Sequence, residues 1–248
     1  CLSIPKVDNN VLLSDTIEEV ERLYNKAVEQ QNSYNIAHGF KTCSTLSGGM
    51  DSRTAFLYCE KLGFQNHFCY CYAESGSKDN TIASDIANDY ECPFFFSPID
   101  NGFFIKNRDR LCDILGGQMW YAGSTGTYQS LSVYDTGKLG IINAGIGGGE
   151  IFGDDCVGDA KQDVAFTSFI AKMGLSEKEQ ERFEKIKENY RSYDEFVSVN
   201  DLRRCVASKN VAKSFGCDYG SPFLDEEFFS LMLTIPFDYK NHRRLYVE

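Results

Sequence analysis

The chain is 248 residues long, carries a formal net charge of −11 and is 42% apolar, enough to bury a sizeable core; it contains no proline-rich, glycine/serine-rich or repeated tract, which excludes a disordered chain or a solenoid. The negative charge would repel a polyphosphate backbone and argues against a nucleic-acid partner, and no apolar run is long enough to span a membrane. Ten cysteines, with neither a Cys-x-x-Cys pair nor the Cys/His clustering of a zinc site, read as reduced and mostly buried small hydrophobes in a cytoplasmic protein.

The start, Cys1-Leu2-Ser3, lacks the charged-then-apolar plan of a secretory signal, and a chain without an initiator methionine that stops at Glu248 is expected to be a piece of a longer protein. Asp15 followed by Glu18 is an acidic variant of the capping signal, and Ile17, Val20, Leu23, Tyr24, Ala27 and Val28 repeat at helical spacing, so a first helix is expected to about Gln31. Residues 41–46 are short, mostly apolar and β-compatible; they end at Ser-Gly-Gly and lead into a helical pattern over 52–62 with Gly63 as its stop. The unit repeats in kind: 67–72 is strand-like, Asp79 can cap a helix carrying Ile82, Ala83, Ile86 and Tyr90, and 94–99 is strand-like again. Strands alternating with helices predict an α/β fold, a parallel sheet flanked by helices.

Helical patterns follow over 102–115 and 127–136, and a last strand-like run, 139–144, enters a second glycine-rich loop. Ser176 with Glu179 and Ser198 with Asp201 each match a capping box, and Gly216 can close the second helix. The expected organisation is one main domain, with a nucleotide-binding α/β unit over about 10–157, a seam over 158–174 and a C-terminal helical annex over about 175–248.

A strand delivering Ser47-Gly48-Gly49-Met50-Asp51-Ser52 into a helix places unhindered backbone N–H groups and hydroxyls at a helix N-terminus, where the partial positive charge favours phosphate. Asp51 would be costly beside bare phosphate, which implies a magnesium ion between them. Neither Gly-x-x-x-x-Gly-Lys nor Gly-x-Gly-x-x-Gly is present at this loop, so neither the Walker loop nor the dinucleotide fingerprint accounts for it.

At these residues the chain resembles the ATP-pyrophosphatase (PP-loop) superfamily, whose Ser-Gly-Gly-x-Asp-Ser loop holds the pyrophosphate of ATP. Later segments are similar to the asparagine synthetase branch. Leu46-Ser47-Gly48-Gly49-Met50-Asp51-Ser52 resembles its Leu-Ser-Gly-Gly-Leu-Asp-Ser, and Gly145-Ile146-Gly147-Gly148-Gly149-Glu150-Ile151-Phe152-Gly153 its Gly-Glu-Gly-Ser-Asp-Glu-Leu-Phe-Gly. Ser221-Pro222-Phe223-Leu224-Asp225 resembles its Val-Pro-Phe-Leu-Asp, with Ile235-Pro236 and Lys240 following at a similar spacing. The resemblance implies adenylation of a small-molecule carboxylate by ATP with release of pyrophosphate, followed by attack of ammonia or an amine, with a glutaminase domain outside this chain as one source of ammonia. It implies that Leu46, Ser47, Gly48, Gly49, Asp51, Ser52, Gly145 and Gly147 contact the nucleotide, that Tyr72 flanks adenine, and that Asp51 and Glu150 hold Mg2+ and serve the reaction.

The chain departs from that pattern at three places. The second loop has Gly149 where the family has a magnesium-binding aspartate and Ile146 where it has an acid, leaving Glu150 in register and Asp154 and Asp155 just downstream. Gly220 stands where members carry an arginine shortly before Pro-Phe-Leu-Asp, and the family's Lys-x-x-Leu-Arg run has no clear equivalent in Lys240-Asn241-His242-Arg243-Arg244-Leu245. The alternative reading is a catalytically weak or inactive nucleotide-binding relative with a regulatory or scaffolding role. His38, His67 and His242 make no spacing that indicates a metal site or a triad, and none is assigned a role.

Overall fold

The computed structural model describes residues 6–118, 124–152, 174–190, 206–240 and 244–247. In chain order, α1 (Leu13–Ala37), β1 (Lys41–Thr45), α2 (Met50–Lys61), β2 (Phe68–Ala73), α3 (Lys78–Asp89) and β3 (Phe94–Pro98) are followed by a 3-10 segment (Asp100–Asn107) and α4 (Arg108–Leu115). Next come α5 (Thr125–Leu131), β4 (Leu139–Asn143), α6 (Gly148–Ile151), α7 (Glu177–Lys187), α8 (Lys209–Lys213) and β5 (Asp218–Gly220). A 3-10 turn (Pro222–Leu224), α9 (Glu226–Thr234), α10 (Phe237–Lys240) and α11 (Arg244–Val247) finish the described chain.

The five strands form one all-parallel, Rossmann-like sheet in the order β3-β2-β1-β4-β5. Alternation along β2 sends Tyr70 and Tyr72 to one face and Cys69, Cys71 and Ala73 to the other. The first face packs with Leu131, Ile142, Ala212 and Tyr219, the second with Phe56, Ala83 and Ala87 of α2 and α3. A sheet covered on both faces has apolar residues at nearly every strand position, which is how β2 reads. Phe56, Tyr70 and Ile142 are fully buried, and each such apolar side chain contributes about 1.5–3 kcal/mol.

Two compact units are distinguished, and they are not successive in the chain: the sheet unit comprises Tyr24–Ile146 and Arg204–Asp225, and the other comprises Cys1–Leu23, Gly147–Arg203 and Glu226–Glu248. The segment with α8 and β5 thus returns to the sheet, so the residues expected in one annex are divided between two units. In the second unit the Asp8 amide donates to the Thr234 carbonyl at 2.9 Å, Tyr239 Oη donates to the Val11 carbonyl at 2.9 Å, and the Phe152 ring packs on Tyr246 with centroids 4.3 Å apart.

Several expectations are corrected. Helix α1 runs six residues beyond Gln31, to Ala37, because the face defined by Val28 continues in buried amides that an apolar count does not register. Asn35 Nδ2 donates to the Ile141 carbonyl at 2.7 Å while the Ile141 amide donates to Asn35 Oδ1 at 2.8 Å, beside an irregularity in the β1–β4 pairing between Lys41 and Cys43. Asn143 Nδ2 donates to Asn32 Oδ1 at 3.1 Å and to the Cys43 carbonyl at 3.1 Å. These amides let the polar face of α1 at Asn32 and Asn35 close on a buried strand with hydrogen bonds in place of apolar contacts.

The cap of α3 is Ser77, whose hydroxyl accepts from the Asn80 amide, and not Asp79. The pattern over 102–115 is two elements, the 3-10 segment to Asn107 and α4 from Arg108, and the first of them begins with a left-handed pair, Asn101 and Gly102 at φ 62° and 64°. The pattern over 127–136 shrinks to α5, and a fifth strand follows Gly216: at three residues, β5 is too short to show a period. The Ser176–Glu179 capping box is present as expected. The box at Ser198 and Asp201, the seam over 158–173, and Asp154 and Asp155 lie outside the described residues.

Candidate functional site

Strand β1 is central, and the chain goes to β2 and β3 on one side of it and to β4 and β5 on the other. The switch of direction therefore lies between β1 and β4, and the loops leaving their carboxyl ends flank the crevice where open α/β sheets take their ligands. Leu46, Ser47, Gly48 and Gly49 form the first of these loops and run into α2; Ala144 and Gly145 begin the second.

The first loop is held by its own hydroxyls. The Ser47 amide donates to Ser52 Oγ at 3.0 Å, the two hydroxyls pair at 2.8 Å, and the Gly49 amide donates to Ser47 Oγ at 3.2 Å. Gly49 sits at the N-cap of α2 without a side-chain cap. The Gly48 amide donates to Asp79 Oδ1 at 2.9 Å, and a Cβ on Gly48 would stand 2.9 Å from that oxygen and 3.2 Å from Ile82 Cδ1, so α3 closes directly on the loop. Asp79, expected as a cap, is instead a loop partner; its charge is felt at Cys71, whose thiol is pushed up to about 12 by burial first and by Asp79 second.

The second loop passes against the same helix start. A Cβ on Gly145 would lie 2.5 Å from the Asp51 carbonyl carbon and 2.5 Å from the Ser52 nitrogen, so only glycine permits this approach. The loop after β5 secures it: the Ala144 amide donates to the Gly220 carbonyl at 2.8 Å and Ser221 Oγ donates to the Ile146 carbonyl at 2.6 Å. Ile146 turns its side chain onto the core cluster of Tyr70, Ile142 and Tyr219. At Gly220 a side chain has no room, since a Cβ would meet Gln31 Oε1 at 2.2 Å, and Gln31 is itself hydrogen-bonded to Asn143.

The structure therefore brings together Leu46, Ser47, Gly48, Gly49, Asp51, Ser52 and Gly145, and adds Asp79, which the sequence did not single out as a site residue. Tyr72 lies on β2 with its ring against Gly126, where a Cβ would stand 2.0 Å from Cδ2, and its Oη accepts from Thr127 Oγ1 at 3.3 Å. Gly147, with φ 87°, and Glu150, partly exposed in α6, belong to the second unit. Chemically, the crevice offers backbone amides, two hydroxyls and a helix N-terminus to an oxyanion, with the Asp51 and Asp79 carboxylates close by in the sequence of the loop and in contact with it. Among the described residues no helix is long and apolar enough to cross a membrane. No family model matches the chain, and comparison with curated proteins finds no match.

Proposed function

We propose that the crevice binds ATP by its pyrophosphate and that the protein is an ATP-dependent amide-forming ligase of the asparagine synthetase type. The observation that carries this reading is the apposition of Gly145 to Asp51 and Ser52, which sets two glycine loops edge to edge at the switch point of the sheet. Phosphate oxygens would take the Ser47, Gly48 and Gly49 amides in place of their present acceptors, Ser52 Oγ, Asp79 Oδ1 and Ser47 Oγ. Asp51 is the residue of this loop that would hold magnesium, whose charge offsets that of the phosphates. In the proposed reaction a substrate carboxylate attacks the α-phosphorus, pyrophosphate leaves, and ammonia or an amine then displaces AMP to form the amide. This chemistry asks the protein for positioning and charge neutralisation more than for a nucleophile.

A second reading, a weakly active or inactive nucleotide-binding relative, is favoured by one specific observation. Ile146 occupies the position of a family acid and turns into the core, and Gly149 offers no side chain, so the second loop lacks two of the acids that the resemblance implies. Missing charge stabilisation of that kind commonly costs on the order of 10² to 10³ in rate. Both readings require nucleotide binding, and turnover separates them. Calorimetry and thermal unfolding with ATP and magnesium should give saturable binding and a raised Tm, weakened in Asp51→Asn. Absence of binding at millimolar nucleotide to the folded chain would refute both readings. Pyrophosphate release with candidate carboxylates supports the ligase; binding without release supports the second reading.

A further inference from the structure

The amino-terminal edge of the same sheet gathers a different set of groups. Glu60 lies in the last turn of α2, His67 immediately precedes β2, and Cys92 precedes β3; because the strands are parallel, the segments entering β2 and β3 lie side by side. A carboxylate oxygen of Glu60, a ring nitrogen of His67 and the Cys92 sulfur all lie within 4.8 Å of one another. We propose that Glu60, His67 and Cys92 form a binding site for a borderline divalent cation of the zinc class.

The donor set fits such an ion in type, charge and orientation. Imidazole, thiolate and carboxylate together select zinc-class ions, whereas magnesium and calcium take oxygen ligands. With Glu60 and Cys92 anionic and His67 neutral, a doubly charged ion would leave no net charge in a site where His67 and Cys92 are 7% and 9% exposed. The His67 ring is aimed by its other side: Nε2 is 2.7 Å from Ser44 Oγ, and Nδ1 is hydrogen-bonded to Glu60 Oε1. That is the arrangement in which a histidine ligand is held by a hydrogen bond from its second nitrogen. Moving the ring proton from Nδ1 to Nε2 would keep the Ser44 contact and bare Nδ1 for the metal. Ser44 Oγ, accepting that proton, can still donate to Cys59 Sγ at 3.8 Å.

Ligand atoms around a tetrahedral zinc stand about 3.3–3.8 Å apart. The ion would enter by spreading the Glu60–His67 contact and drawing the Cys92 sulfur inward. Glu60, with its side chain 21% exposed, is the member with freedom to move and the point of entry. Phe56, with its ring centroid 5.2 Å from that of His67, walls the site with apolar surface.

The test is titration of the metal-free whole chain with Co2+, which reports its ligands by its spectrum, followed by displacement with Zn2+. The expected result is one saturable site with tetrahedral bands and thiolate-to-cobalt charge transfer, displaced by Zn2+ and indifferent to Mg2+. Glu60→Gln and Cys92→Ser, each verified as folded by circular dichroism, should bind at least about ten-fold more weakly, and Cys92→Ser should lose charge-transfer intensity. Glu60→Gln, the change at the exposed member, keeps the test decisive if the buried substitution unfolds the chain. Absence of the thiolate band in the native chain, or affinity and spectrum unchanged in folded Glu60→Gln or Cys92→Ser, would overturn the proposal and leave Glu60–His67 as a buried structural hydrogen bond.

Discussion

The two edges of one parallel sheet gather different kinds of group, and the two proposed sites lie one at each edge. At the carboxyl edge the groups are backbone amides and hydroxyls on consecutive residues, Ser47 to Ser52, with Gly145 pressed against them. At the amino edge they are side chains, Glu60, His67 and Cys92, drawn from three separate segments. The difference follows from the chain's direction. Strands that run the same way send their following helices off with amides facing back toward the carboxyl edge, which suits anions, whereas the amino edge collects incoming segments and depends on side chains for its chemistry.

If the edges are independent, a change at one should leave the other intact. Gly145→Val should have the largest effect, because its side chain would overlap backbone atoms of Asp51 and Ser52 that cannot rotate away. Stability should fall by about 1–3 kcal/mol, and the ATP-dependent rise in Tm should vanish, a loss of about 2.7 kcal/mol of ligand stabilisation at 100 times Kd. The Co2+ spectrum should remain. A folded Gly145→Val that loses both responses would show that the edges are coupled.

Raising the pH tests the rigid middle that the edges share. Tyr70 and Tyr219 are hydrogen-bonded to each other through their hydroxyls, and burial pushes both phenols well above the ordinary tyrosine range. The folded state keeps these protons while the unfolded chain releases them above about pH 10. Their contribution is therefore complete below that pH and declines as pH rises through and above it, by about 1.4 kcal/mol per pH unit for each phenol. Urea unfolding between pH 9 and 11, against Tyr219→Phe, reads this slope; the native chain should show the steeper decline.

The last test lies at the amino edge. Ser44→Ala removes the partner of His67 Nε2 in a fully buried position, which should cost about 1–3 kcal/mol in urea unfolding. It should also weaken Co2+ binding by about 10–100-fold, as expected when a ligand's outer partner is lost. ATP-dependent stabilisation should be unchanged. Equal weakening of both responses would erase the distinction drawn between the edges.

The residues alone determined what local physics controls. The alternation of apolar strands with helical patterns specified β1 to β4 and the helices α2 and α3, and the glycine–hydroxyl run at 47–52 specified a turn between β1 and α2, because both signals sit on contiguous residues. Tertiary structure alone decided the rest. Strand β5, at three residues, exists through its pairing with β4, and α1 continues past Gln31 because Asn32 and Asn35 find partners more than a hundred residues away. Asp79 is a loop partner and not a cap because Ser77 takes the cap, which returns the Asp79 carboxylate to Gly48. Glu60, His67 and Cys92 converge only once β2 and β3 pair, since no spacing along the chain encodes the distance between two strand entrances.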